Sequence, residues 1–340
     1  MKNRVFRSRA VKAFLVIIVS LATLFVAVGY AGEKLREVRL EYKFVIDALP
    51  ASTAKVRVWV PLPSALPVQE VKGLKVKAPA PYTIGKEAVW GNSVIYFELD
   101  GDKARSAPVE FSMVFTVTRQ ELKGLGKEAG RLTAIKDGLV KYLRPSRMGP
   151  HSDLVKTLAT KAASGETGVE DKARHIYDFV LKNMDYNKNK PGWGRGDVSR
   201  VCLAIAGGEK GTGNCTDFHS FFAALLQTQK IPVLFEMGYP LKPGSGGSVG
   251  GYHCWASFYT EEHGWVPVDI SEADKAPKLV DYYFGSIDEN RVTFSRGRDI
   301  VLVPRQEGEP LNYFGPDPYI EVDGKPFEGF ERTISYKDIK

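Results

Sequence analysis

The stretch GTGNCTDFHSFFAALLQTQ, residues 211–229, decides the fold of this chain. Its Gly-rich beginning ends at Asn214-Cys215, and the residues that follow have the apolar spacing of a helix. The buried stripe of this predicted helix consists of Phe218, Phe221, Phe222, Leu225 and Leu226. Cys215 is therefore expected at or next to a helix N-terminus, where free N–H groups and the positive dipole end stabilise a thiolate. The same N–H groups can hold an oxyanion, although a cysteine at a helix start can also be buried and inert.

Two predicted strands follow, one at 252–259 and the other at 265–270, joined by the turn TEEHG at 260–264. A hairpin centred on position 261 places His253 opposite Asp269, within one register step, with their Cβ atoms about 5 Å apart. An aspartate held against a histidine fixes its tautomer and stabilises the imidazolium, which in turn lowers the pKa of a nearby cysteine. Alone, such a pair can be a structural hydrogen bond. Together with a helix-start cysteine it predicts the catalytic triad Cys215, His253 and Asp269.

These segments resemble the core of the transglutaminase-like superfamily over roughly residues 150–305. The matching features are Gly213-Asn214-Cys215 with Asp217, Ile231-Pro232, Gly238-Tyr239, His253-x-Trp255 and Gly264-Trp265-Val266-Pro267-Val268-Asp269. The resemblance implies a papain-like fold and acyl transfer through a thioester on the cysteine. Members of this superfamily include transamidases, peptidases, amidases and proteins without a working triad.

Other residues around the cysteine have secondary roles in this interpretation. Family members often complete the oxyanion site with an upstream aromatic side chain; Trp193 can do this through its indole N–H, as can Tyr186, although Trp193 can also simply pack a loop. Asp217 is expected to interact with the N-terminal dipole of the helix or to cap it. His219 lies one turn after the nucleophile, but only the hairpin histidine has a matching aspartate. Cys254 neighbours that histidine on a strand, faces the other side and is expected in the core.

Upstream of this core, residues 36–120 read as a β-sandwich-like domain, because apolar residues recur at every second position at 38–46, 56–60 and 109–117. From about 127 the period becomes helical, and Thr167 and Glu170 have the spacing of a capping box that opens a helix. The predicted fold class is therefore α+β: a sandwich at 36–120, then a catalytic domain at 127–305 with a helix-start cysteine and an antiparallel sheet. Residues 306–340 are expected to form a β-rich tail, and 290–303 a hairpin.

The N-terminal segment predicts export. Residues 1–31 contain five basic and no acidic side chains, and 13–32 are uncharged up to a small-residue end at Gly29-x-Ala31, as in a secretory signal. Cleavage after Ala31 and an uncleaved anchor both stay open, because 20 uncharged residues can also span a bilayer. Both place the remaining chain outside the cytoplasm, periplasmic or secreted, with membrane contact only through this segment.

Charge and composition narrow the function further. The 340-residue chain has a net charge of +7, but without residues 1–31 it carries 42 basic against 40 acidic side chains. This argues against a nucleic-acid partner. The three cysteines are too few for a disulfide framework. The Gly-rich segment 243–251 is a lid or a surface loop and lacks the phosphate-loop pattern, and no EF-hand-type loop occurs. We predict neither cofactor nor metal.

The predicted function is an exported cysteine enzyme that transfers acyl groups from protein or peptide substrates. Hydrolysis, as a peptidase or amidase, is favoured over crosslinking because the loop before His253 offers little apolar cover for a thioester. The alternatives are a protein-glutamine transamidase and a catalytically silent binding module of the same family. An arylamine N-acetyltransferase-like enzyme has the same Cys–His–Asp order, but export separates it from cytoplasmic acetyl-CoA.

Overall fold

The N-terminal part of the chain consists of strands, because apolar and polar residues alternate along it. In the first strand every second side chain from Val38 to Ile46 is buried and the intervening ones are half-buried or exposed. The elements of this part are β1 (Leu35–Ile46), β2 (Lys55–Pro61), β3 (Gln69–Lys77), β4 (Tyr82–Lys86), β5 (Ser93–Asp100), α1 (Gly101–Ser106), β6 (Val109–Gln120) and β7 (Leu122–Lys123).

The central part alternates helices with strands, four of which form a smaller sheet. Its helices are α2 (Asp153–Ala162), α3 (Val169–Asn183), α4 (Val198–Ala206), α5 (Cys215–Thr228), α6 (Ile270–Lys275) and α7 (Val280–Tyr283), with 3₁₀ turns at Leu139–Leu143 and Pro277–Leu279. Its strands are β8 (Met184–Tyr186), β9 (Gly211–Gly213), β10 (Val233–Pro240), β11 (Gly246–Ser248), β12 (His253–Thr260), β13 (Gly264–Val268), β14 (Ser286–Ile287) and β15 (Arg291–Arg296). Three strands end the chain: β16 (Tyr319–Val322), β17 (Lys325–Pro326) and β18 (Glu331–Asp338).

Two five-stranded antiparallel sheets form a sandwich, with strand orders β11-β18-β1-β6-β3 and β17-β16-β2-β5-β4. The C-terminal residues belong to it: β18 pairs with β1 from Val38↔Asp338 to Val45↔Glu331, and β16 pairs with β2. The segment predicted as a β-rich tail thus supplies strands to both sheets. The segment 243–251, predicted as either a lid or a surface loop, contains β11, which pairs with β18.

The sheet that positions the site has the order β13-β12-β10-β15 and is antiparallel throughout. Helix α5 packs on β12 and β10, with Phe218, Phe221 and Phe222 fully buried in the cluster that it shares with α2, α3 and α4. Strands β10 and β15 also contribute to the core of the sandwich, through Tyr239 and Phe294. The sandwich and the helical half therefore share buried surface.

Three local predictions were wrong. The helix α3 begins after Gly168, whose backbone is the cap, so Thr167 and Glu170 form no capping box. The sequence NKNKPGWGRGDVSR at 187–200 predicts a loop, but the helix α4 occupies 198–206. Asp197 caps this helix by accepting a hydrogen bond from the Arg200 N–H. Residues 290–303 are not a hairpin, because β15 pairs with β10.

The description rests on a computed structural model and covers residues 34–125 and 138–339. The predicted export segment, residues 1–31, and the predicted start of the catalytic domain at 127 lie outside these residues. None of the helices in the two described ranges combines the length and the apolar character that a bilayer span requires.

Candidate active site

A reciprocal cap fixes the first turn of α5. The Asn214 side chain accepts a hydrogen bond from the Thr216 N–H at 2.9 Å, and the Asp217 carboxylate accepts from the Asn214 N–H at 2.9 Å. This is a capping box, and it confirms the prediction that Asp217 caps the helix. Cys215 is consequently the first helical residue; it is 2% exposed, and its own N–H has no acceptor within the helix.

The Asp217 carboxylate also anchors the loop that precedes α4. It accepts hydrogen bonds from the N–H groups of Gly194 at 2.6 Å and Gly196 at 3.1 Å, and from the Arg200 guanidinium at 3.1 Å. Both glycines have positive φ angles, 79° and 62°, which favour glycine. The loop that holds Trp193 is therefore tied to the helix that begins with the cysteine.

His253 and Asp269 meet, but not as the predicted cross-strand pair. The β12–β13 ladder is shifted by two residues and ends at Ala256↔Val268, because the turn is centred one residue later than predicted, next to Gly264 with its φ of 70°. Strand β13 ends before Asp269, which instead caps α6. From that position its Oδ2 lies 2.7 Å from Nε2 of His253.

The buried Asp269 carboxylate is held by four donors. Its Oδ1 accepts from the Glu272 N–H at 3.1 Å and from the Ser271 hydroxyl at 3.2 Å. Its Oδ2 accepts from His253 and from the Arg291 guanidinium at 3.3 Å. All the bonds fix the carboxylate in one orientation, so it orients the imidazole as well as balancing its charge.

His219 links the two helices that carry the site. Its Nε2 accepts from the Ile270 N–H at 3.0 Å, so Nδ1 carries the proton and donates to the Cys215 carbonyl at 2.8 Å. Burial lowers the pKa of His219, which keeps the ring neutral at neutral pH. His219 thus joins the starts of α5 and α6, and both of its ring nitrogens are engaged in that structural role.

The electrostatics of the site favour a charged pair. Burial raises the pKa of the Cys215 thiol, but hydrogen bonds to Cys254 and His253 and the charge of His253 together bring it well below the usual value. Burial lowers the pKa of His253, but the Asp269 charge and the hydrogen bonds to Asp269 and Cys215 raise it to about 9. Since Nε2 of His253 binds Asp269, Nδ1 is the nitrogen left for the sulfur. These pKa shifts favour a thiolate beside an imidazolium at neutral pH.

A similar balance between burial and nearby charges keeps Asp269, the third residue of the predicted triad, ionised. Burial raises the pKa of Asp269, whereas the charge of His253, its hydrogen bond and the charge of Arg291 bring it far below the usual range. A permanent carboxylate at this position is what holds the imidazolium charged.

The oxyanion candidates are less tightly defined. Trp193 is 40% exposed, the Lys188 ammonium lies 5.2 Å from its ring centre, and within the described residues its indole N–H donates to no protein acceptor. Tyr186 lies in β8, paired with Gly213 just before the cysteine, and its pKa is raised by burial and then by the Cys215 charge. Neither side chain is held by a hydrogen bond to the cap of α5, so the role predicted for Trp193 stays a prediction.

Sequence reasoning missed two residues of this site. The Tyr252 hydroxyl accepts from the Asn214 side-chain amide at 3.0 Å and lies 3.3 Å from the Thr216 hydroxyl, so it borders the first turn of α5. Its position next to His253 in the chain was the available signal. Arg291 reaches Asp269 from β15, a strand that the sequence does not connect to the site by any motif.

One cluster among the described residues has the donor types of a metal site. Ligand atoms of Glu170, Glu262 and His263 lie within 4.8 Å of one another, and all three side chains are partly or fully exposed. The cluster lies at the turn after β12, at the opposite end of that strand from His253. It is separate from the three residues predicted as the triad.

Three comparisons bear on this geometry. Residues 156–270 match the sequence model of the transglutaminase-like superfamily, a range that contains the cysteine, the histidine and the aspartate. A curated Haemophilus influenzae protein, described as uncharacterised, is 28% identical and covers 82% of this chain and 84% of its own.

Among solved structures, a Cytophaga hutchinsonii protein with a provisional description as a cysteine protease aligns with a TM-score of 0.57 at 15% identity, over 91% of this chain and 92% of its own. At that identity the match supports the fold. The periplasmic domain of TgpA from Pseudomonas aeruginosa aligns with a TM-score of 0.38 at 16% identity, over 72% of this chain and 93% of its own.

Proposed function

We propose that this chain, which carries a transglutaminase-like core at residues 156–270, is a cysteine enzyme that transfers acyl groups through a thioester. The observation that supports the proposal most directly is geometric: Cys215 is the buried first residue of α5, and His253 is held by Asp269 at 2.7 Å. The pKa shifts of Cys215 and His253 favour a thiolate beside an imidazolium. A nucleophile, a proton donor and an orienting carboxylate are the minimum set for this chemistry.

The first half-reaction forms the thioester. The Cys215 thiolate attacks the carbonyl carbon of a peptide or carboxamide, and the oxygen that becomes negative is stabilised at the start of α5 by the Cys215 N–H. His253 then gives its proton to the leaving amine, the C–N bond breaks, and the amine departs. Asp269 stays ionised throughout, so the imidazole that remains keeps its orientation.

The second half-reaction returns the enzyme to its starting state. In hydrolysis a water molecule transfers a proton to His253 and attacks the thioester, which releases a carboxylic acid and restores the thiolate–imidazolium pair. In transamidation a primary amine takes the place of water, and an amide is released. The difference between the two reactions is the nucleophile that reaches the acyl-enzyme.

Hydrolysis is the outcome that the surroundings favour. A transamidase must exclude water with apolar walls. Trp255 donates its indole N–H to Glu236 at 3.0 Å and is buried, and Trp265 packs between Tyr142 and Tyr259. These two tryptophans are committed to the core and are not available to line a channel.

The segment before the histidine adds little cover. The three residues of β11 are exposed, and a Cβ atom built on Gly250 or Gly251 meets no other atom within 4 Å. Gly250 and Gly251 therefore contribute no apolar side chain that could shield a thioester from water.

The test is product analysis with a glutamine-containing peptide and a labelled primary amine. We expect free acid to accumulate faster than the amine conjugate, and neither product to form with Cys215→Ala. Conjugate that outpaces free acid would assign transamidation and leave the thioester mechanism intact. If no covalent adduct forms between Cys215 and an electrophilic peptide probe, the proposal that this chain is a cysteine enzyme is contradicted.

The proposal includes a location outside the cytoplasm. Its support is the composition of residues 1–31, a basic start followed by an uncharged apolar run with a small-residue end. Substrates in that location are proteins or peptides outside the cytoplasm. Acyl transfer from such substrates requires no cosubstrate from the cytoplasm, so the proposed location and the proposed chemistry are compatible.

A further inference from the structure

A cavity of about 220 Å³ lies where the sandwich meets the helical half. Its walls come from the turn between β4 and β5, the segment at and after the 3₁₀ turn Leu139–Leu143, one face of α5, strand β10 and the turn after β15. Arg144 and Pro145 are exposed and form its mouth, whereas Ala224 and Phe235 are buried and form its floor. Junctions of this kind are common places for small-molecule sites.

The cavity neighbours the predicted triad without containing it. It follows α5 from Ser220 to Gln227, beyond the turn that begins with Cys215. None of the triad residues belongs to the described residues that line it. Phe235 connects the two places, because it lines the cavity and also packs in the apolar cluster of Cys215.

One wall of the cavity is a tryptophan in a fixed position. The indole N–H of Trp90 donates to the Arg298 carbonyl at 3.0 Å, and its backbone N–H donates to the Glu87 carboxylate at 2.9 Å. Gly297, with a φ of 86°, allows the ring to lie against the backbone, since a Cβ atom there would collide with it. With Phe235, this ring gives the cavity an aromatic lining that suits an apolar ligand body.

The charged lining of the cavity is mostly positive. Its cationic side chains are Lys141, Arg144 and Arg298, and in the described part of the chain none of them forms a salt bridge. The one acidic side chain among the described lining residues, Asp299, already accepts hydrogen bonds from the N–H of Arg147 at 2.8 Å and from its Nε at 3.4 Å. The cations therefore lack a counterion that the protein itself supplies.

These cations also keep hydrogen-bond donors in reserve. The Lys141 ammonium has three N–H groups and donates one to the Val89 carbonyl at 2.8 Å. Nη1 of Arg298 has two N–H groups and donates one to the Ser220 hydroxyl. Arg144 donates its side chain to no acceptor within residues 34–125 and 138–339. Burial lowers the pKa of Lys141 and of Arg298, and a bound anion would offset that cost.

We propose that this cavity binds a small organic acid, with its carboxylate held by Lys141, Arg144 and Arg298 and its apolar body against Trp90 and Phe235. Guanidinium groups suit a carboxylate because they bind it through paired hydrogen bonds. The volume is sufficient, since an apolar cavity of about 150 Å³ already accommodates benzene. A free acid and the C-terminal residue of a peptide both offer this chemistry. The inference does not depend on the proposed function.

The experiment is calorimetric titration of the full chain with phenylacetate and with phenylacetamide, which has the same shape without the charge. We expect the acid to bind at least about tenfold more tightly than the amide, because charged hydrogen bonds are the stronger ones. The double variant Lys141→Gln/Arg144→Gln should lose this preference. Lys161→Gln, which removes an exposed cation of α2 away from the cavity lining, should keep it.

A cavity-filling variant tests the location. Ala223→Leu adds carbon atoms to the lining and removes no cation, so it should weaken phenylacetate binding at least about tenfold. Cys215→Ala should leave the affinity unchanged. Equal affinities for acid and amide, no measurable binding of the acid, or binding that Ala223→Leu leaves unchanged would overturn the inference. Thermal melts verify folding, and Ala223→Met, whose side chain is more flexible, replaces the leucine variant should that variant not fold.

A peptide arm distinguishes the two sources of the carboxylate. If glycylglycylphenylalanine binds more tightly than its C-terminal amide, the cavity accepts the end of a peptide chain; if only phenylacetate binds, the cavity takes a free acid. Both results support the site. The inference and the proposed function fail separately, because loss of phenylacetate binding leaves the thioester chemistry at Cys215 unaffected, and an unreactive Cys215 leaves the cavity and its cations in place.

Discussion

The protonation states of Cys215 and His253 set the pH range in which we expect the enzyme to be active. The active form has Cys215 deprotonated and His253 protonated, and the pKa of His253 is raised to about 9. We expect kcat/KM to rise on an acidic limb set by the lowered thiol pKa, to stay level through neutral pH and to fall above about pH 9. The check is a kcat/KM profile over pH 4–11. A rise that begins only near the ordinary thiol pKa of about 8.5 would contradict the charged pair.

The second prediction at this scale concerns the orienting carboxylate. The Asp269 charge is the largest influence that raises the pKa of His253, so Asp269→Asn should move the alkaline limb of kcat/KM to lower pH. It should also reduce kcat/KM by at least about 100-fold, because the imidazole loses its fixed orientation. The loss should stay smaller than that of Cys215→Ala, since Asp269 forms no bond to the substrate. An unchanged alkaline limb would contradict this role.

The sequence predicts those site residues that have a recognisable local pattern around them. It does not predict residues that reach the site only through the folding of distant segments. A cysteine at a helix start and a histidine near an aspartate carry local signals in their flanking residues. Arg291 has none, because its contact with Asp269 depends on the pairing of β15 with β10. Cys254 was correctly expected to face the core, but strand alternation does not tell which part of the core a side chain meets.

At the scale of elements, the start of α5 depends on one buried carboxylate. Asp217 accepts from three backbone N–H groups and one guanidinium, and it ties α5 to the loop at 193–196. Asp217→Ala should lower the free energy of unfolding by about 3 kcal/mol, because several buried donors lose their acceptor at once. Urea denaturation measures this loss.

A matched control exists at another helix start. Asp153 also lies in a first turn, that of α2, but its side chain is 98% exposed and, within residues 34–125 and 138–339, its carboxylate pairs with Lys156 alone. Asp153→Ala should change the free energy of unfolding by no more than about 0.5 kcal/mol. Equal losses in the two variants would show that the burial of Asp217 has no special effect.

Element boundaries show where pattern reading fails. The position of α5 was predictable because an apolar stripe and a cap coincide there. The β12–β13 register was missed by two residues, since turn length alone decides it and Gly264 allows more than one turn. The contact between His253 and Asp269 survived the error because the cap of α6 brings the carboxylate back toward the strand.

At the scale of the whole molecule, the N-terminal segment predicts the destination of the chain. Cells that express the full chain should hold it outside the inner membrane, either as a soluble form that begins after Ala31 or as a membrane-bound form of full length. Fractionation followed by mass spectrometry of the N-terminus distinguishes the two forms. A chain that starts at residue 32 is the control and should stay in the cytoplasm; a soluble cytoplasmic pool of the full chain would refute export.

The last prediction concerns the C-terminal strand, whose place in the fold the sequence did not reveal because strand partners distant in the chain leave no local pattern. Strand β18 lies between β1 and β11, and it buries Ile334 and Tyr336 in the sandwich. It also holds β11, the segment that leads to His253, so its loss should affect both stability and the site.

Deletion of residues 331–340 should lower the melting temperature by at least about 10 °C, since it exposes the edge of β1 and removes two large buried side chains. It should also abolish activity, because the chain from β11 to the histidine loses its attachment. The matched control ends the chain after Asp338, which keeps every pair of β18 with β1, and should melt within about 2 °C of the full chain. If the shorter chain keeps both its melting temperature and its activity, the sandwich is complete without β18, and the C-terminal segment has no part in positioning the site.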